Sequence, residues 1–216
     1  MIGENTGMAE IVVRRVDFGY FVRPAEETGT GAPRVEPCLG YVVDHPQGML
    51  LFDTGMGSHP EVDAHYRPHR AGLREALAAI GAGTSDISVA ANCHLHFDHC
   101  GGNPLLGPIP VFVQAAELDA ARQTQDYTLP ELIEGSRFEP VTGETEVLPG
   151  VLLMPTPGHT AGLPVAYPHA HPRQDHRQTT LPTEMASNSY AADRANAGVP
   201  PVWAGVPGTC WRQDRG

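Results

Sequence analysis

His94-Leu95-His96-Phe97-Asp98-His99 is the stretch on which the reading of this chain turns. His94, His96 and Asp98 stand two apart, so on an extended segment their side chains project to one side. Leu95 and Phe97 then point the other way, into apolar packing, and His99 carries the line of ligating groups onto a second position. Imidazole and carboxylate are ligands suited to zinc and similar divalent ions. With 11 His and 11 Asp in the chain, a chance His-x-His-x-Asp-His is on the order of one in a thousand. A surface cluster arising from His-rich composition is therefore the poorer explanation.

The neighbouring sequence supports this. The apolar run Ile87 to Ala91 reads as a buried strand whose end delivers the histidines, and Gly101-Gly102 follows them. Much further on, His159 sits in Thr156-Pro157-Gly158-His159-Thr160, directly after the apolar run Val151 to Met154. A lone loop histidine is usually only that. Beside a His-x-His pair it supplies the third imidazole of a three-ligand zinc site, which leaves a fourth position for water. Asp53, ending the run Leu51-Phe52-Asp53-Thr54-Gly55, has two readings. Its carboxylate either orients a ligand histidine or closes a turn on nearby backbone N–H groups. Cys93 and Cys100 flank the motif and read as small buried residues, as groups supporting the ligands or as minor ligands. His45, His59, His65 and His69 lie in polar loops and are expected at the surface. His169-Ala170-His171 and Asp175-His176 mimic the motif without a preceding strand, and read as tail composition.

The 216 residues suffice for one domain with a sizeable core. Glycine and proline are abundant (24 and 21), which indicates many strands and turns and few long helices. A net charge of −11, from 14 basic and 25 acidic side chains, argues against a nucleic-acid partner, since no Lys/Arg cluster is present to displace counterions from phosphates. No apolar run reaches membrane-spanning length. Met1 to Glu10 lacks the pattern of a secretory signal, so a cytoplasmic protein is expected. The four cysteines show no framework spacing and are read as thiols.

Apolar runs place the elements. Glu10 to Val22 suits a half-buried strand pair, and Pro24 to Pro37 a loop. Cys38 to Val43 and Met49 to Asp53 form a hairpin across Asp44-His45-Pro46-Gln47-Gly48. Ala71 to Ile80 is a helix stopped by Gly81. Val111 to Val113 is a strand, Ala115 to Arg122 a short helix, and Glu146 to Pro155 holds two apolar runs around Pro149-Gly150. Alternating strands and helices indicate an α/β layered fold. From Leu163 to Gly216 the chain holds seven prolines and few aliphatic residues, and no core element is expected there. Domain organisation is thus residues 1–162, then an atypical Pro-rich tail over 163–216, either disordered or a reading-frame product.

His94 to His99 followed by Cys100-Gly101-Gly102-Asn103 resembles the metal loop of the metallo-β-lactamase superfamily. Leu51 to Gly55 resembles its upstream motif, and Thr156 to Thr160 its third-histidine turn. Val35-Glu36-Pro37-Cys38-Leu39-Gly40-Tyr41 and Tyr127-Thr128-Leu129-Pro130-Glu131-Leu132 are similar to the N-acyl-homoserine lactonase family within it. The resemblance covers roughly Ile11 to Gly162. It implies an αββα sandwich, incomplete at the C-terminus, with one or two Zn2+ ions at the edge between its sheets. His94, His96 and His159 would hold the first metal, and Asp98 and His99 the second. Asp98 would also act catalytically, orienting the attacking water. The implied activity is hydrolysis of a small acyl lactone, which is quorum quenching. Two alternatives stay open: another hydrolysis of the superfamily, such as that of a thioester in the manner of glyoxalase II, and a metal-binding remnant of impaired activity. The family's later ligands are not recognisable after Gly162.

Overall fold

The computed structural model describes residues 11–124, 127–160 and 162–168. Seven strands make the larger sheet: β1 (Val12–Arg23), β2 (Arg34–His45), β3 (Gly48–Phe52), β4 (His69–Arg70), β5 (Ile87–Ala91), β6 (Val111–Gln114) and β7 (Phe138–Val141). Their order is β4-β1-β2-β3-β5-β6-β7. From β4 to β3 neighbours are antiparallel, and from β3 through β5 and β6 to β7 they are parallel. The smaller sheet is antiparallel, β10-β9-β8, from β8 (Thr145–Leu148), β9 (Val151–Pro155) and β10 (Pro164–Pro168). Four α-helices and three short 3-10 turns complete the described fold, the α-helices being α1 (Pro60–Tyr66), α2 (Leu73–Ala79), α3 (Ala115–Gln123) and α4 (Pro130–Glu134).

Side-chain alternation explains the layering. On β3, Leu50 and Phe52 enter the core shared with Val151, Leu153 and Ala166 of the smaller sheet, while Leu51 packs with Leu73 and Leu77 of α2. Val42 and Val43, and Val89 and Ala90, divide in the same way. The middle strands are buried on both faces, so they read as continuous apolar runs. All four described α-helices bury their apolar residues on the face turned away from the smaller sheet. Among the described residues the layers are therefore helices, sheet and sheet, and no helix covers the outer face of the smaller one.

The hairpin, β5, β6, α3 and the runs on either side of Pro149-Gly150 lie where the sequence places them. Three expectations are corrected. The strand pair between Glu10 and Val22 is one long strand, bent by a bulge between Asp17 and Tyr20 where Gly19 (φ 95°) meets the carbonyl of His69. Arg34 to Pro37, read as loop, pairs with Tyr20 to Arg23 as the start of β2. Residues 164–168, within the stretch read as lacking a core element, form β10, with Ala166 and the preceding Leu163 buried and Pro164 pairing Pro155. The prolines are tolerated because, among the described strands, β10 lies at the edge of its sheet and they stand at its two ends. The rest of the tail, with His169, His171 and His176, lies outside the described residues. No helix among the described residues is long and apolar enough to cross a membrane.

Candidate metal centre

The parallel strands β3, β5 and β6 deliver their C-terminal ends to one place, the position at which open α/β sheets bind ligands. Asp53 follows β3, the histidine run follows β5 and α3 follows β6. His159 arrives from the other sheet, on the loop after β9.

The loops after β3 and β5 are joined backbone to backbone. Thr54 N–H donates to the His99 carbonyl (2.8 Å), Gly57 N–H to that of Phe97 (2.6 Å) and Gly101 N–H to that of Gly55 (2.7 Å). A Cβ on Gly101 would lie 2.0 Å from the Gly57 nitrogen, so only glycine fits. Buried Asn92 donates to the His99 carbonyl (2.9 Å), and its own carbonyl accepts from Asn103 (2.7 Å). The Cys38 thiol donates to the Asp98 carbonyl.

These bonds shape the run as a tight turn rather than the extended segment the spacing suggests, with His99 N–H closing on the His96 carbonyl (3.0 Å). The alternation survives: Leu95 and Phe97 are buried in the core beneath, while His96 and Asp98 stay partly exposed above.

His94, His96 and His159 each present a ring nitrogen to one point, all within 4.8 Å of one another. His159 Nε2 lies 3.3 Å from His96 Nδ1, and the ring centroids stand 4.6, 5.0 and 5.1 Å apart at nearly right angles. Nitrogens about 2.0–2.1 Å from a tetrahedral zinc stand at this kind of separation from one another, so the donor set fits such an ion. Burial, followed by the neighbouring imidazoles, pulls His94 well below its ordinary pKa; burial and then His159 lower His96 to about 3. Both rings are thus neutral near pH 7, the form that ligates a metal.

Beside this triad lies a pair. His99 Nε2 is 3.3 Å from the Asp98 carboxylate, and the His99 ring centroid is 4.0 Å from that of His94. Burial works against ionisation of Asp98, yet His99, His96 and Arg23 outweigh it and hold its pKa below the carboxylate range. Burial likewise opposes protonation of His99, but Cys93, Asp98 and Asp53 raise its pKa well above the ordinary value.

Asp53, whose backbone takes a left-handed φ of 62°, directs its carboxylate across the chain rather than into its own turn. One oxygen accepts from His99 Nδ1 (2.9 Å) and the other from the Cys93 N–H (2.8 Å). Cys93 Sγ lies 3.0 and 3.2 Å from Nδ1 of His94 and of His99. The Cys100 thiol packs on the carbonyls of Leu95 and His96, and burial pushes its pKa up to about 12. His65 and His69 are exposed; His45 and His59 are half-buried, the latter capping α1.

The sequence reading did not single out Arg23, whose charge reaches Asp98, or Tyr127, whose ring lies 4.8 Å from that of His96. It also missed Glu117, buried on α3 with one carboxyl oxygen 2.9 Å from the Leu95 N–H. An acidic residue inside the short helix after β6 was the available signal.

A two-sheet α/β sandwich with neutral imidazoles gathered at its strand ends defines a metal-binding protein. The chain belongs to the metallo-beta-lactamase superfamily, whose family profile matches residues 33–169. An N-acyl homoserine lactonase of a Bacillus species is 32% identical over 142 residues, a match covering 58% of this chain and 56% of that protein. The chain thus spans about half the length of the curated relatives it matches. A solved N-acyl homoserine lactone hydrolase, with N-hexanoyl-L-homoserine bound at its catalytic metal center, superposes with a TM-score of 0.63 and 26% identity over 71% of this chain and 68% of its own. A dizinc quorum-quenching lactonase shares the fold at 18% identity, with a TM-score of 0.59 over 74% of this chain and 69% of its own.

Proposed function

We propose that this chain is a zinc-dependent hydrolase that opens the ring of N-acyl-homoserine lactones. The observation that carries the reading is the convergence of His94, His96 and His159 on one point beside the Asp98–His99 pair, in a chain similar to N-acyl homoserine lactonases. In this reading the three histidines hold one zinc, and Asp98 and His99 contribute to a second. When bound, a divalent metal polarises a carbonyl and makes water acidic enough to attack near neutral pH.

The chain's own residues do the rest. Asp98, partly exposed and held ionised by His99, orients the attacking water and takes its proton. The water oxygen bonds to the lactone carbonyl carbon, the bond from that carbon to the ring oxygen breaks, and the proton passes to the ring oxygen. Asp53 holds a proton on His99 Nδ1, so the proton that His99 gives up in order to ligate is the one on Nε2. Leu95 and Phe97 keep water out from beneath the turn. We place the protein in the cytoplasm, where the buried free thiols Cys38, Cys93 and Cys100 remain reduced.

The test is turnover of N-hexanoyl-homoserine lactone by zinc-loaded protein, beside an acyl-thioester under the same conditions. Asp98→Asn keeps the shape and loses the charge, and should lower lactone turnover by about 10²–10⁴-fold, the range of a positioned proton-transfer group. Thioester hydrolysis without lactone hydrolysis would assign the chain to another reaction of the superfamily, and turnover surviving in the variant would remove Asp98 from the chemistry.

A further inference from the structure

We infer that Glu117 is a positioning residue of the metal centre, tying the segment that carries His94 and His96 to the turn that carries His159. Its carboxyl is fully buried on α3. One oxygen accepts two hydrogen bonds, from the N–H of Leu95 (2.9 Å) and from the hydroxyl of Tyr127 (2.5 Å). Leu95 is the residue between the paired histidines, so this bond fixes the backbone from which both rings project. Tyr127, held by the same oxygen, places its ring 4.8 Å from that of His96. Glu117 therefore constrains His96 from the main chain and, through Tyr127, from the ring.

The third histidine is tied to the same residue by an independent contact. Gly162 lies so close to α3 that a Cβ on it would fall 2.4 Å from both the Cβ and the backbone nitrogen of Glu117. His159 and Gly162 both lie on the connection from Thr156 to Leu163, whose ends are closed by Thr156 N–H donating to the Leu163 carbonyl (2.7 Å). The His159 turn is thus seated on the first turn of α3, at the residue that holds the His94–His96 segment. Two ligand segments, one from each sheet, meet on a single side chain and its backbone. The other carboxyl oxygen of Glu117 is buried with no hydrogen-bond partner among the described residues. Replacing that oxygen by an amide nitrogen removes no described bond, whereas an aliphatic side chain removes both bonds made by its neighbour.

The inference rests on the reading of His94, His96 and His159 as ligands, and the experiment separates the two. Zinc affinity is measured by chelator competition, and the visible absorption of the Co2+-substituted protein reports ligand geometry. Glu117→Leu should lower zinc affinity by about 10–100-fold, the usual effect of losing an outer partner of a metal ligand, and should alter the Co2+ band. Glu117→Gln should restore both toward wild type. Tyr127→Phe removes only one of the two hydrogen bonds to Glu117 and should weaken zinc binding with a smaller loss of stability than Glu117→Leu, which keeps the test open if Glu117→Leu does not fold. His96→Ala should abolish binding. Unchanged affinity and spectrum in Glu117→Leu or Tyr127→Phe, with binding lost in His96→Ala, overturns the role of Glu117 alone. Wild-type binding in His96→Ala overturns the ligand reading. Glu117→Gln as weak as Glu117→Leu overturns the hydrogen-bond account.

Discussion

Asp53→Asn is the substitution that most directly probes how His99 is held. Asparagine tolerates the left-handed backbone at this position, so the change acts through hydrogen bonding and through the charge that faces His99. The two carboxylate oxygens accept from Cys93 N–H and from His99 Nδ1, at 2.8 and 2.9 Å, in a site only 2% exposed. An amide has one oxygen and one NH2 to set against those two donors, so in either orientation one of the two bonds can no longer be made as it stands. If the NH2 faces His99, the ring must present a bare Nδ1 and move its proton to Nε2, which then cannot ligate. If it faces Cys93, a buried backbone donor is left without an acceptor. A hydrogen bond to a charged group contributes about 1.5–3 kcal/mol, and an orphaned buried donor costs about 1–3 kcal/mol. Asp53→Asn should therefore destabilise the metal-free protein by about 1.5–3 kcal/mol, and Asp53→Ala, which orphans both donors, by roughly 2–6 kcal/mol. Loss of the outer partner should also weaken metal retention at the His99 pair about 10–100-fold. Urea unfolding and metal content after dialysis measure the two effects. A variant with wild-type midpoint and wild-type metal content would refute this account of Asp53.

Gly101→Ala should destabilise the protein by about 3 kcal/mol or more, or prevent folding, because the added carbon meets backbone atoms of Met56 and Gly57 that cannot move aside; the urea midpoint reports it. Acid should destabilise the metal-free protein. The pKa of His96 lies at about 3 in the fold and at an ordinary 6.5 when unfolded, so below 6.5 the unfolded chain binds a proton that the fold excludes. The contribution is complete above about 6.5 and is lost as pH falls toward 3, and His94, lowered likewise, acts with the same sign. His96→Ala should flatten that limb of the stability–pH curve, and a limb as steep as in wild type would count against the argument.

How much of this was legible in the sequence follows from how local each signal is. β5 and the hairpin of β2 and β3 are short apolar runs bounded by turn residues, and their patterns need no distant partner. The single strand β1 was read as two because Gly19 interrupts the pattern. What carries the strand through is its pairing with His69 and Arg70, some fifty residues on. Helices α1 and α4 are seven and five residues long, each opening on proline and burying only one or two side chains, too little for a helical period. β10 carries prolines that argue against a strand in general and are harmless at the ends of an edge. The site divides in the same manner. Its ligating groups stand in one dense run and one Gly-Pro turn, so residue type and spacing reveal them. The groups that hold the ligands, Asn92, Asn103, Glu117 and Tyr127, are of ordinary types and become meaningful only through contacts across the fold.

That division bears on what happens when metal is removed. In a small domain built around zinc the ion supplies the folding energy, and chelation unfolds the chain. Here the ligand turn is fixed by bonds that do not involve the ligands' own ring nitrogens. The His99 carbonyl alone accepts from Thr54 N–H and Asn92 Nδ2, at 2.8 and 2.9 Å, and the Thr54 hydroxyl donates to Asn103 Oδ1 (2.8 Å). Phe97, Asp98 and Gly101 are each tied by a further backbone or thiol bond, and Leu95 and Phe97 anchor the turn in the core. His94 and His96 are already neutral, so binding metal requires no proton release from them near pH 7. The metal-free chain should therefore stay folded, with cooperative urea unfolding and slow hydrogen exchange at the amides of Thr54 and Gly101. Metal should raise the midpoint only by the linkage of its binding to the native state. If chelation abolished the cooperative transition, or left those two amides exchanging as fast as loop amides, the metal rather than the hydrogen-bonded loops would be what shapes the site.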